Sequence, residues 1–287
     1  MRPFVRMCTA PNAMITSFKR FAAAVCVALG FGLPAHATSY STDFSDLWWA
    51  GETENGWGIN FIQQAEVIFA TMFVYGTDNT PRWYVASNLS PSGSGSTTFV
   101  GALYRTTGPY FGTAWTGTAT PIQVGTMTVA FNSPTNATLN YTVEGTSVTK
   151  NITRQTWRIN QISGNYLGGI TATGSGCSGS SNGPILIFGN MRITQTGNTA
   201  VAVRIDFVSN SGVASFCNMN GTMSQSGKLG ALSGGTFACT FGSTPGNQGT
   251  FSLSAIDVTN NGISASFTGQ DQFCSYSGRF GGLRDII

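Results

Sequence analysis

Histidine is almost absent from this chain of 287 residues: the single one, His36, lies in an N-terminal leader. Residues 14–37, MITSFKRFAAAVCVALGFGLPAHA, have the basic start, apolar run and small-residue cleavage site of a secretory signal peptide. We therefore predict a signal peptide over residues 1–37, with Met7 and Met14 as alternative starts. Its removal leaves a chain without histidine, which excludes Ser-His-Asp and Cys-His catalysis and metal sites built on imidazole.

Charged side chains are scarce as well, at 9% of the residues, and the positive excess lies in the leader. The whole chain has 14 Lys and Arg against 11 Asp and Glu; without Arg2, Arg6, Lys19 and Arg20 it has 10 against 11, a net charge of −1. So few cations cannot form the basic face that nucleic-acid binding requires. The apolar run of the leader is about half as long as a membrane-spanning helix. We predict an exported protein, periplasmic or extracellular, with no nucleic-acid partner, no stable membrane insertion, no cofactor and no metal.

Four of the six cysteines remain once Cys8 and Cys26 are removed with the leader. No two of the others have the C-x-x-C spacing of a zinc site, and exported chains are oxidised, so we predict two disulfides. The cysteines concerned are Cys177, Cys217, Cys239 and Cys274.

Tryptophan and cysteine divide the mature chain into two parts. All six tryptophans precede Gln161, and all four remaining cysteines follow it. This composition predicts a Trp-rich domain over residues 38–160 and a Gly-rich, disulfide-bearing domain over residues 161–287.

Apolar and polar residues alternate in both domains. Apolar residues occupy every second position of 201–207 and of 127–131, and no helical stripe follows the leader. A period of two indicates antiparallel strands with one buried face, and the turn spacing gives about eight short strands in each domain. We therefore predict an all-β chain with two antiparallel up-and-down barrel or sandwich domains in tandem.

The two ends of the second domain resemble each other: residues 163–170 read SGNYLGGI and residues 277–283 read SGRFGGL. If these segments pair antiparallel as first and last strands, the domain closes into a barrel and Cys177 falls close to Cys274. Cys217 is then left to pair with Cys239, which is one of the three connectivities that four cysteines allow.

Residues 46–87 hold four of the six tryptophans and can be interpreted in two ways. Residues 66–75, EVIFATMFVY, are apolar on both alternating faces, which favours a strand covered on both sides and a structural role for the aromatics. Adjacent aromatics on a strand point to opposite faces, however, so some rings can form a flat outward platform for sugars. The candidate ligand-binding residues are Trp48, Trp49, Trp57, Asn60, Trp83 and Tyr84.

Glu52 and Glu54 lie in a turn of the same segment. Two carboxylates beside tryptophans are typical of a glycosidase, which needs them about 5–9 Å apart across the sugar. Residues two apart in a turn rarely reach such positions, and the EF-type pattern of a calcium loop is missing. A solvated turn is the simplest interpretation, so we assign no catalytic residue; in a hydrolase the pair would be Glu52 and Glu54.

The run DLWW-x-x-x-x-E-x-GWGINF-x-QQ, followed by FAT-x-FVY, P-x-WYVAS, GALYRTTGPYFG and TKNITRQTW, resembles a Trp-rich family of secreted proteobacterial proteins of uncharacterised function. The resemblance covers about residues 46–157. It implies an exported bacterial protein and brings no activity, cofactor or catalytic residue with it.

These features favour a secreted, non-catalytic binding or accessory protein that recognises a glycan or another neutral cell-surface component through aromatic rings. The alternatives are a carboxylate-dependent polysaccharide hydrolase and an outer-membrane β-barrel or structural envelope protein. Against the membrane barrel stand the four cysteines and the doubly apolar segment of residues 66–75, since outer-membrane strands alternate lipid-facing and lumen-facing positions.

Overall fold

The computed structural model describes residues 42–178 and 182–285, which are nearly all strands and tight turns. The predicted signal peptide lies outside the described residues. The only regular helix in the described part is a short 3₁₀ turn at Glu52–Glu54. Within these two ranges, no helix has the length and hydropathy needed to cross a membrane.

The first eight strands form a closed antiparallel barrel in sequence order. They are β1 (Asp46–Trp49), β2 (Gly58–Gln64), β3 (Val67–Tyr75), β4 (Pro81–Pro91), β5 (Thr98–Thr107), β6 (Thr120–Ser133), β7 (Asn136–Val143) and β8 (Thr146–Arg154).

The next eight strands form a second closed barrel, in which β9 pairs with both β10 and β16. They are β9 (Gly164–Ser175), β10 (Gly183–Thr196), β11 (Ala200–Val208), β12 (Ala214–Ser226), β13 (Leu229–Phe241), β14 (Thr244–Val258), β15 (Gly262–Asp271) and β16 (Ser275–Arg284). The prediction of two antiparallel up-and-down domains in tandem is confirmed, and both are barrels.

The closure of the second barrel follows the predicted pairing of its ends. Leu167 of β9 lies opposite Leu283 of β16, and Ile170 lies opposite Phe280. The disulfides are Cys177–Cys274 and Cys217–Cys239, the two predicted pairs. The second pair joins residues directly opposite each other on β12 and β13.

Glycines allow the strands of both barrels to approach closely where the sheets coil. A Cβ on Gly125 would lie 1.8 Å from the carbonyl oxygen of Thr142, and one on Gly189 would lie 1.9 Å from that of Asp206. No side chain fits at such positions, because the neighbouring strand's backbone occupies the space. The high glycine content therefore serves curvature as well as turns.

Each barrel has its own apolar core. In the first, the ring of Phe131 contacts four other rings, those of Phe44, Trp48, Phe61 and Phe99. In the second, Ile162 and Tyr166 fill the end where the chain enters, and both are 2% exposed. Aromatic packing thus fills part of the first barrel, and Trp48 belongs to this core.

Residues 155–163 connect the two barrels, and Gln161, the predicted boundary, lies among them. At the end of β8, the buried guanidinium of Arg154 donates to Asp46 Oδ2 at 3.0 Å and to the carbonyl oxygens of Asp43 and Pro134 at 2.7 Å. The same Asp46 oxygen accepts the backbone N–H of Lys228, in the turn between β12 and β13, at 2.8 Å.

Candidate functional site: an aromatic platform on the first barrel

The strands of the first barrel divide the predicted ligand-binding residues between two faces. Trp48 and Tyr84 point into the barrel and are 0% and 5% exposed, so neither can stack on an external ligand. Their neighbours Trp49 and Trp83 point outward, because adjacent residues of a strand alternate. Including Trp48 and Tyr84 in the binding surface was therefore wrong: the inner face of this barrel is its apolar core.

Trp49, Phe73 and Trp83 form a row across the outer wall, on β1, β3 and β4. Trp83 lies directly opposite Phe73, which in turn lies opposite Gly58 of β2. The pairing of Trp48 with Ile59 places Trp49 beside Gly58 on the other side. With strands about 5 Å apart, the row spans about 15 Å.

Glycines keep this wall flat between the rings. Gly58 presents no side chain between Trp49 and Phe73. Tyr75, two residues beyond Phe73, lies over Gly56, with its hydroxyl 3.6 Å from where a Cβ would stand. Aromatic rings that cover cross-strand glycines lie against the sheet surface. We call Trp49, Phe73, Tyr75 and Trp83 the aromatic platform.

Three of the four platform rings are exposed, Trp49 is half-buried, and none of the four is charged. Phe73, Tyr75 and Trp83 are 53%, 58% and 51% exposed, which is unusual for rings of this size. Asn60 and Thr71 lie opposite each other on the same wall, one step along from the row. Within the described residues, no side-chain hydrogen bond engages Asn60. The platform therefore has an amide and a hydroxyl beside its rings.

A pair of opposite charges lies beside the platform. Arg82, at the start of β4, donates from its Nη2 to Oδ2 of Asp78, in the turn between β3 and β4, at 2.8 Å. Hydrogen bonds from Thr80 and the neighbouring Arg82 hold the pKa of Asp78 below its usual value. This pair therefore adds no net charge to the platform.

The prediction that residues 66–75 are covered on both faces is wrong. The narrow interior takes the residues of one parity, Ile68, Ala70 and Met72, all 0% exposed, while Phe69, Phe73 and Tyr75 of the other parity are 41% to 58% exposed. Sequence reasoning therefore missed Phe73 and Tyr75 as candidate binding residues. The signal was present: all three aromatic rings of the segment share one parity, while Ile68, Ala70 and Met72 share the other.

Trp57 has a different role from the one predicted. It points inward with Ile59 and Phe61 and is packed against the core. Its Nε1 donates to Glu54 Oε2 at 3.0 Å, and Lys150 Nζ of β8 donates to the same oxygen at 2.6 Å. These contacts tie the 3₁₀ turn to β8, which pairs with β1 only at Thr153 and Arg154.

The same contacts bear on the hydrolase alternative. The hydrogen bond from Lys150, followed by that from Trp57, lowers the pKa of Glu54. A general acid needs the opposite shift, toward a proton held near neutral pH. Glu52 is exposed in the same turn. Among the described residues, no three His, Cys, Asp or Glu side chains are grouped to hold a metal ion.

Comparison with known proteins adds little to this geometry. No protein-family model matches the sequence, and no curated protein matches it. Among solved structures, a candidate outer membrane protein from Bacteroides fragilis aligns with 86% of this chain and 99% of its own length, at 14% identity and a TM-score of 0.28. That likeness is too weak to bear on fold or function.

Proposed function

We propose that this is an exported, non-catalytic binding protein that recognises a neutral glycan of a cell surface through the aromatic platform. The observation that carries the proposal is the row of Trp49, Phe73 and Trp83 on the outer wall, with Tyr75 beside it: Phe73, Tyr75 and Trp83 are exposed and Trp49 is half-buried. Sugars present C–H faces that stack on such rings, and a row of about 15 Å can contact more than one residue of a chain.

The surroundings of the platform favour a neutral ligand. Asn60 and Thr71 offer donors and acceptors to hydroxyl groups, and Asp78 and Arg82, beside the platform, are paired with each other. A charged polymer would find no counter-ion on this wall. Exposed apolar patches on soluble proteins commonly mark such binding surfaces.

The distribution of polarity supports a barrel that works in water. Outer-membrane barrels have an apolar band outside and a polar lumen, whereas both barrels here have apolar interiors. The outer wall of the second barrel also carries exposed charges on β10, β11 and β16: Arg192, Arg204, Asp206 and Arg279. Two disulfides support export into an oxidising compartment.

Binding to a panel of neutral polysaccharides, soluble and insoluble, tests the proposal. We expect Trp83→Ala to weaken the binding of the retained polysaccharide about tenfold, which is about 1.4 kcal/mol. The matched control is Trp157→Ala, which removes an exposed tryptophan, 77% accessible, from the segment between the barrels. Absence of binding by the wild type to every polysaccharide, or equal losses in both variants, would contradict the proposal.

A further inference from the structure

The second barrel contains a cavity of about 220 Å³ at the end away from the connecting segment. The connecting segment enters at the start of β9, where Tyr166 and Ile162 close the barrel. The cavity lies at the opposite end, where β9 finishes and β10 begins. Inward-facing side chains form its wall, among them Ile170, Ile187, Phe207, Met219, Phe237 and Phe267.

The cavity reaches solvent through a gap in the barrel wall. Residues Gly183–Phe188 of β10 pair with β9, but the pairing of β10 with β11 stops at Gly189 and Phe207. No other strand of the described part covers this edge of β10. Leu186 and Val208, on either side of the gap, line the cavity and are 69% and 68% exposed.

Covalent and hydrogen bonds hold the mouth in shape. The Cys217–Cys239 disulfide forms part of the wall, and Cys177–Cys274 joins β9 to the turn before β16. Asp271 accepts hydrogen bonds from Asn247 Nδ2 at 2.7 Å and from the Tyr276 hydroxyl at 2.8 Å. Its other oxygen accepts the backbone N–H groups of Phe273 and Cys274 at 2.8 Å.

The lining of the cavity favours neutral ligands over anions. Burial alone would raise the pKa of Asp271, but its four hydrogen bonds lower it, so this carboxylate stays ionised. Among the described residues that line the cavity, Asp271 is the only charged one, and none of them is a cation that could balance an incoming anion. The neutral polar groups at the mouth are those of Asn247, Tyr276, Ser209 and Asn210.

From this geometry we infer that the cavity binds a small, neutral and largely apolar molecule with a single hydroxyl or carbonyl group, such as a medium-chain alcohol. Its volume is below the roughly 300–1,000 Å³ of sites for drug-sized ligands. An apolar cavity gains from excluding water around an alkyl chain, while the polar groups at the mouth meet the hydroxyl. This site is separate from the aromatic platform and does not depend on it.

Methionine-methyl NMR on the full oxidised chain tests the inference, because Met219 lines the cavity and the other described methionines do not. We expect octanol to shift the Met219 signal saturably, and octanoate to bind at least about tenfold more weakly, about 1.4 kcal/mol. Trp83→Ala should leave both titrations unchanged, which separates this site from the platform. Equal affinity for octanol and octanoate, or no shift with octanol, would overturn the inference.

A substitution that fills the cavity with a larger side chain provides the second test. Ala172, on β9, points inward and lines the cavity, whereas Ala202, on β11, is exposed on the outer wall. Ala172→Phe should weaken octanol binding at least about tenfold, about 1.4 kcal/mol, and Ala202→Phe should leave it unchanged. Octanol binding by a folded Ala172→Phe variant with wild-type affinity would overturn the assignment to this cavity. If that variant does not fold, the comparison of octanol with octanoate on the wild type decides.

Discussion

Tyr276 shows how this chain uses its few ionisable groups. Burial of the ring, together with the hydrogen bond that its hydroxyl donates to Asp271, raises the pKa of Tyr276 to about 12. Glu54, Asp78 and Asp271 are shifted the other way, toward the ionised form, by their hydrogen-bond donors. These side chains fix turns and the ends of strands, which is a structural task.

The raised pKa predicts an alkaline limit to the stability of the second barrel. The neutral form of Tyr276 is favoured in the folded state, so its contribution is complete below pH ~10 and is lost as the pH rises toward about 12. We expect the free energy of unfolding to fall over this range, and to fall less in Tyr276→Phe. Chemical denaturation at a series of pH values measures both slopes. Identical slopes in wild type and variant would contradict the assignment.

At the scale of the strand, β10 combines a close approach to β11 with a stretch that has a neighbour on one side only. Its second half pairs on both sides, while Gly183–Phe188 pairs with β9 alone. Gly189, where the two halves meet, has the carbonyl of Asp206 in the place of a Cβ, whereas a Cβ on Gly183 would meet nothing within 4 Å. Tight coiling at Gly189 thus lies next to the gap above the cavity.

This contrast predicts that the same substitution is destabilising at one position of the strand and nearly neutral at the other. Gly189→Ala forces β10 away from β11 and should lower the free energy of unfolding by about 1–3 kcal/mol. Gly183→Ala should change it by less than about 0.5 kcal/mol, because the position is open. Equilibrium denaturation of both variants measures the difference. Equal stabilities would show that β10 and β11 are less closely packed at Gly189 than the structure indicates.

Two other strands show what can be predicted from the sequence and what cannot. The strand of residues 200–208 was predictable, because the large apolar residues Val201, Val203 and Ile205 alternate with small or charged ones. The strand of residues 67–75 was predictable as well, but its exposed face was not recognised, because both faces are apolar and only the aromatic rings on one of them distinguish it. The cavity could not be predicted from the sequence either. It exists because β10 extends beyond the end of its pairing with β11, and the register of the two strands is fixed only when the sheet closes.

At the scale of the whole molecule, the two disulfides close loops of very different length. Cys177–Cys274 spans 97 residues and Cys217–Cys239 spans 22. In the chain-entropy description, these crosslinks contribute about 4.7 and about 3.4 kcal/mol. We expect replacement of the first pair by serine to destabilise the second barrel by about 1 kcal/mol more than replacement of the second pair. Urea unfolding of the two double variants measures this, and the reverse order would contradict the entropic account.

The proposed function of the molecule depends on the aromatic platform of the first barrel. Indole N–H NMR of the tryptophans, during titration with a polysaccharide that the protein retains, tests this most directly. The signals of Trp49 and Trp83 should shift together and saturably, while that of Trp48, whose Nε1 donates to the carbonyl of Phe44 inside the barrel, should not move. Shifts confined to Trp115 or Trp157, or no shift for any glycan, would contradict the account.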